Sequence, residues 1–142
     1  FACRGEQVER WLTPTVQGQR VCSIAITEPA AGSDAAGIST RATPTARGGW
    51  HLSGNKHFIS DGEVSDFFIV SALTSAPDAA KKEISLFLVD KGLPGFVLGQ
   101  HCDVVDLDGA QFLKRDCTPG VRYVDGHVDC PDAVWGAPGA AA

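Results

Sequence analysis

A chain of 142 residues, 44% hydrophobic and 20% charged, has enough apolar content for one globular core, and too many polar interruptions for a membrane span or too few for a disordered chain. Twelve basic residues against seventeen acidic ones give a net charge of −5, and no basic cluster exceeds "AAKKE" or "LKRD", so a nucleic-acid partner is excluded on charge. Five cysteines, Cys3, Cys22, Cys102, Cys117 and Cys130, form an odd set without a CxxC pair. That pattern indicates reduced thiols rather than a disulfide framework. With no charged-then-apolar leader, the expected location is the cytoplasm, away from membranes. The chain opens at Phe1 and contains no Met, which reads as a segment of a longer protein.

In chain order, "QVERWLT" places Val8, Trp11 and Leu12 on one face of a short helix, which Pro14 and Gly18 are expected to end. Seven strand-like runs follow, at 20–27, 37–43, 49–60, 66–73, 83–90, 95–100 and 120–129. Each is short, rich in Val, Ile, Phe or Thr, and bounded by Gly, Pro, Asp or Ser. Without helical stretches between them they exclude a βαβ sheet and predict an all-β sandwich or barrel. Gly54-Asn55 is a turn or bulge signal inside the third run. "TSAPDAAKK" reads as an exposed loop, and the final "GAPGAAA" as a frayed tail.

Two stretches concentrate the chemistry. "AITEPAAGSD" (25–34) consists of turn formers, and alone it is a loop. "GNKHFISDG" (54–62) adds a second strand end. Together they offer hydroxyls at Thr27, Ser33 and Ser60, a glycine at Gly32 permitting close backbone approach, and an aromatic plane at Phe58. This set suits a flat heterocycle with polar edges, which needs a ring to pack on and donors aimed at its nitrogens and oxygens. Neither a P-loop nor a GxGxxG run is present. Glu28, Asp34 and Asp61 are read as satisfying turn amides or facing solvent. His101, Cys102, Cys117, His127 and Cys130 match no compact zinc spacing, so no metal site is assigned.

The ordered series "RWLTPTVQGQRVCSIAITEPAAGSDAAGISTRA", "GGWHLSGNKHFISDGEVSDFFIVSA", "ISLFLVDKGLPGF" and "VRYVDGHVDCPDAVWG" resembles the middle domain of the acyl-CoA dehydrogenase family, over residues 5 to 136. The resemblance implies an antiparallel β-barrel of orthogonally packed sheets with a short N-terminal helix. It divides the chain into the end of a helical domain or linker (1–17), the barrel (18–136) and the tail (137–142). It also implies FAD as cofactor, an acyl-CoA thioester as substrate, and α,β-dehydrogenation as the reaction. The full-length form would be a homo-oligomer, a tetramer.

By the same resemblance, Ile24, Ile26, Thr27, Gly32 and Ser33 would line the flavin, and Phe58, Ile59 and Ser60 would meet its other face. Thr27 and Ser60 would lie near the N1, O2 and N5 edge, where fixed donors stabilise the reduced ring. Ser33 would also contact the CoA portion. No residue of this chain is assigned as catalytic, since the family's base is a carboxylate of the C-terminal helical domain. The isolated segment is therefore expected to be inactive and to bind FAD weakly or not at all.

Three departures stand out. Phe58 and Asp61 occupy positions that are commonly Trp and Asn in the family, and segment 100–120 lacks the family's KxGxRGS-like stretch. Two other readings remain open at this level: a non-enzymatic barrel serving as an interaction module, and a flavin-dependent monooxygenase or acyl-carrier-protein dehydrogenase relative.

Overall fold

The structure, a computed structural model, describes residues 3–46, 48–99 and, as a backbone strand, 120–128. Segment 100–119, the tail, and His101, Cys102, Cys117 and Cys130 lie outside the described residues.

A π-helical turn, Val8–Leu12, leads into a short α-helix, α1, Thr13–Val16. Pro14 does not end the helix but sits in the first turn of α1, where the missing N–H costs least. The wide turn is closed by the Thr13 amide donating to the Val8 carbonyl, five residues back. The chain leaves the helix at Gly18, whose amide donates to the Thr15 carbonyl at 3.0 Å.

Seven strands follow: β1 Cys22–Ala25, β2 Arg41–Pro44, β3 Trp50–His57, β4 Phe67–Leu73, β5 Ile84–Asp90, β6 Phe96–Leu98 and β7 Gly120–Val128. Each of the seven sequence runs thus overlaps one strand. The run at 37–43 begins instead as a 3-10 turn, Ala35–Gly37, nucleated by the Asp34 carboxylate accepting the Ala36 amide at 3.2 Å. The run at 49–60 stops at His57 because Phe58 takes a left-handed φ of 54°.

The strand path is β1-β4-β2-β3-β7-β6, with β5 on the other edge of β4. The sheet is mixed, which corrects the expectation of a purely antiparallel one. Pairs β2–β3, β3–β7, β4–β5 and β6–β7 are antiparallel, but β1 and β2 both run parallel to β4. Parallel neighbours need a crossover, and the β2–β3 hairpin with the following turn supplies it between β1 and β4. One edge of β4 is shared: β1 takes Phe67 to Val70, and β2 takes over at Leu73. Among the described residues the sheet does not close on itself.

The apolar runs "FFIV" and "LFLV" are buried on both faces of the sheet. Phe68, Val70 and Ala72 of β4 and Phe87 and Val89 of β5 join Ala25, Ala42 and Leu52 in the main core. Phe67 and Leu88 point the other way and pack on Trp11 of the helix. Each such large side chain contributes about 1.5–3 kcal/mol of burial.

Polar bonds fasten that helix. Asp90 at the end of β5 accepts from Trp11 Nε1 at 3.0 Å and from Arg20 Nη2 at 2.6 Å on one oxygen, and from Arg10 Nη2 at 2.5 Å on the other. Burial pushes the Asp90 carboxyl up, but these three donors together hold it below its ordinary value. Cys3 and Cys22 are free thiols, and burial pushes the Cys22 thiol up, which makes it a poor nucleophile.

Candidate functional site

The end of β1 and the end of β3 converge. The His57 amide donates to the Thr27 carbonyl at 2.7 Å, so the segment after β1 runs beside the last residue of β3. Lys56 reinforces this from below. Its ammonium donates to the Ile26 carbonyl at 3.0 Å, to Glu28 Oε1 at 2.8 Å and to Ser71 Oγ at 3.0 Å, one acceptor for each N–H. Glu28 in turn accepts from the Ser39 amide at 2.6 Å, the Ser39 hydroxyl at 2.7 Å and the Thr40 amide at 3.0 Å.

Burial alone would raise the Glu28 pKa, but the Lys56 hydrogen bond and the Ser39 and Thr40 donors outweigh it and hold the carboxyl at about 2. Burial lowers the Lys56 pKa against the opposing pull of Glu28. Glu28 is therefore an ionised structural anchor, not a proton acceptor. Its carboxylate accepts amides not of its own turn but of Ser39 and Thr40, together with a buried cation. The sequence reading passes over Lys56. Its signal is parity: Lys56 shares the inward-facing alternation of Leu52, and a charge there demands a buried partner.

Above this anchor lie the residues singled out from sequence. On β1, Ser23 and Ala25 face inward, while Ile24 is 62% exposed and Ile26, just beyond the strand, is exposed too. Phe58 projects outward with 65% exposure, and its neighbour Ile59 turns back to pack against the main core. Ser60 is exposed at the start of the next turn. The hydroxyls of Thr27, Ser33 and Ser60 make no hydrogen bond among the described residues, so three donors are uncommitted.

Gly32 and Ser33 follow a tight turn closed by reciprocal amide bonds between Glu28 and Ala31, at 2.9 and 3.1 Å. Both are exposed, and no hydrogen bond ties them to residues 58–60. A Cβ at Gly32 would meet nothing within 4 Å. The fold itself makes no demand for glycine there; a ligand approaching the backbone would.

Apolar side chains, an outward aromatic ring and free hydroxyls on two tied strand ends form a surface suited to a flat, polar-edged ligand. Residues 23–114 match the family described as acyl-CoA dehydrogenase, middle domain. The chain belongs to the acyl-CoA dehydrogenase family.

Its middle-domain sequence is 35% identical over 108 residues to the short-chain specific acyl-CoA dehydrogenase of Megasphaera elsdenii, covering 76% of this chain and 28% of that protein. It is 41% identical over 96 residues to the long-chain specific mitochondrial enzyme of Mus musculus, covering 67% of this chain and 22% of that protein. The butyryl-CoA dehydrogenase structure from Megasphaera elsdenii superposes with a TM-score of 0.75 at 32% identity, covering 90% of this chain and 32% of that one. The FAD complex of PigA superposes with a TM-score of 0.70 at 29% identity, over 92% of this chain and 32% of that one. The chain thus spans under a third of the length of the acyl-CoA dehydrogenases it matches.

Proposed function

We propose that this middle domain carries one side of an FAD site, and that the complete gene product removes two hydrogens from Cα and Cβ of an acyl-CoA thioester. The observation that carries the reading is the tied pair of strand ends, which sets exposed Phe58 beside Thr27 with uncommitted hydroxyls around them. Two further facts support it: the family membership, and an FAD complex among the structural neighbours.

The residues fit the group. FAD, when bound, supplies the two-electron acceptor. Phe58 offers the ring to pack against the isoalloxazine, with Ile59 seating that segment in the core. The Thr27 and Ser60 hydroxyls donate at its polar edge, where fixed donors stabilise added negative charge. Ile24 and Ile26 exclude water from the same surface, and open Gly32 lets the ligand approach the backbone. Ser33 reaches the CoA portion of the substrate.

The base is not Glu28, whose carboxylate is committed to Lys56, Ser39 and Thr40. Asp34 caps a 3-10 turn instead. The base comes from another domain of the same protein, and the complete protein is a tetramer. The middle domain, a barrel, occupies residues 18–136. The protein works in the cytoplasm.

An FAD titration of the complete gene product, followed by flavin fluorescence, tests the reading, with the isolated 142-residue chain as the second arm. Saturable sub-micromolar binding by the complete protein, with weak or no binding by the segment, is expected. No uptake by the complete protein would overturn the reading.

A further inference from the structure

The turn that presents Phe58 is held in a conformation its own residues do not favour. Phe58 and Asp61 are the two non-glycine residues with positive φ among the described residues, at 54° and 58°, and they bracket Ile59 and Ser60. Side chains with a Cβ pay for the left-handed region, and such residues persist only where the surroundings over-determine them. Here the surroundings include two buried hydroxyls. Ser23 of β1 is 5% exposed and Ser65, just before β4, is 1% exposed. Ser23 Oγ lies 2.5 Å from the Ser60 carbonyl and 2.6 Å from Ser65 Oγ, and Ser65 Oγ lies 2.8 Å from the Asp61 carbonyl.

Two hydroxyl protons face three contacts. The Asp61 carbonyl already accepts the Val64 amide at 3.1 Å and the Ser65 amide at 2.9 Å. A carbonyl oxygen only accepts, so each hydroxyl directs its one proton to a carbonyl: Ser23 donates to Ser60 and Ser65 donates to Asp61.

We propose that Ser23 and Ser65 are positioning residues that fix the 58–61 turn against β1 and so set Phe58 and Ser60 at the height the flavin needs. This rests on the flavin reading above. Ser23 is suited to the task because its neighbour Ile24 emerges on the ligand side of the same strand. One strand then sets both the floor of the site and the turn that overhangs it. The two acceptors also rank the residues. Removing the Ser23 hydroxyl cuts its bond to the Ser60 carbonyl, whereas removing the Ser65 hydroxyl leaves the Asp61 carbonyl with its two amide donors. Ser23 is thus the more important of the two, although Ser65 is the more deeply buried.

The test uses the complete gene product with Ser23→Ala and Ser65→Ala, and Leu88→Val and Leu88→Ala as controls. The Leu88 variants weaken the core beneath the helix and bracket the loss of stability without touching the turn. Two quantities are read: the FAD dissociation constant, and hydrogen exchange across residues 58–65 in FAD-free protein. Ser23→Ala should raise the dissociation constant by about tenfold and Ser65→Ala by less, as for loss of one buried hydrogen bond, with faster exchange in both. Controls of equal melting temperature should move neither quantity.

Unchanged affinity in the serine variants, with or without faster exchange, would overturn the positioning role while leaving the flavin reading intact. So would an equal loss of affinity in the controls. Failure of the wild-type protein itself to take up FAD would overturn the flavin reading, and the positioning role with it.

Discussion

Lys56 Nζ lies 2.8 Å from Glu28 Oε1, and neither side chain is more than 2% exposed. A buried pair of this kind gains little over an apolar pair of the same shape, because desolvation offsets most of the attraction. Its value lies in what else it holds: Lys56 carries the Ile26 carbonyl, and Glu28 carries the amides of Ser39 and Thr40. Removing one partner strands the other charge. Lys56→Met should therefore cost about 3–5 kcal/mol, read as a fall in the urea midpoint at constant m-value. The double variant Lys56→Met/Glu28→Gln should recover a large part of that loss. Equal stability of single and double variants would show that the charge is not what is stranded.

Asp90 makes a second prediction, about acid. Its folded pKa lies below the ordinary 3.8, so the stability it contributes is complete above that value and is lost as pH falls through the lower folded value. The lost contacts are those from Trp11, Arg10 and Arg20, so the helix should loosen from β5 first. Trp11→Phe and Asp90→Asn should each flatten the acid limb of a plot of melting temperature against pH. An acid limb unchanged in Asp90→Asn would move the effect to another carboxylate.

Much of this arrangement was open to reading from residues alone. Six of the seven strands lie within the apolar, turn-bounded runs and β2 passes the end of its run by one residue, and the pairing of TEPAAGSD with NKHFIS as two neighbouring strand ends is physically realised by the His57–Thr27 bond. What escaped reading depends on distant partners. That β1 lies parallel to β4 is decided by packing between segments some forty residues apart, for which local alternation carries no signal. Pro14 looked like a helix stop because a π-turn leaves no mark in periodicity. Phe58 adopts a left-handed φ that nothing in its side chain announces, beside an Asp61 whose short polar side chain tolerates that region. The serine pair was invisible for a plainer reason: a serine on a strand or just before one reads as exposed until something is found above it.

Gly54 illustrates a glycine that the fold requires. It lies in β3 where the register against β7 shifts between Leu52 and Gly54. A Cβ there would come within 2.3 Å of Thr40 Oγ1, 2.6 Å of Thr40 Cβ and 2.7 Å of Thr40 Cα. Gly54→Ala should destabilise the domain by about 1–3 kcal/mol through forced displacement of β2 from β3. Because the backbone carbon of Thr40 is itself in the way, Thr40→Ala in the same chain should not restore stability. Full rescue by that second change would show that only the threonine side chain was in conflict.

Phe58 separates stability from binding. Its ring is 65% exposed, touches His57 edge-on at a centroid distance of 5.8 Å, and sits on a backbone with positive φ. Truncating an exposed side chain costs little, so Phe58→Ala should change unfolding free energy by no more than about 0.5 kcal/mol. Phe58→Gly should be at least as stable as Phe58→Ala, since glycine enters the left-handed region without a Cβ conflict. Flavin affinity should behave differently. If the proposed flavin site is right, both variants remove the ring proposed to pack against the isoalloxazine and should weaken FAD binding by about tenfold, the loss of roughly one aromatic stacking contact. Phe58→Trp should keep it. A destabilised Phe58→Ala with unaltered FAD affinity would make the ring a packing element of the turn rather than a face of the cofactor site.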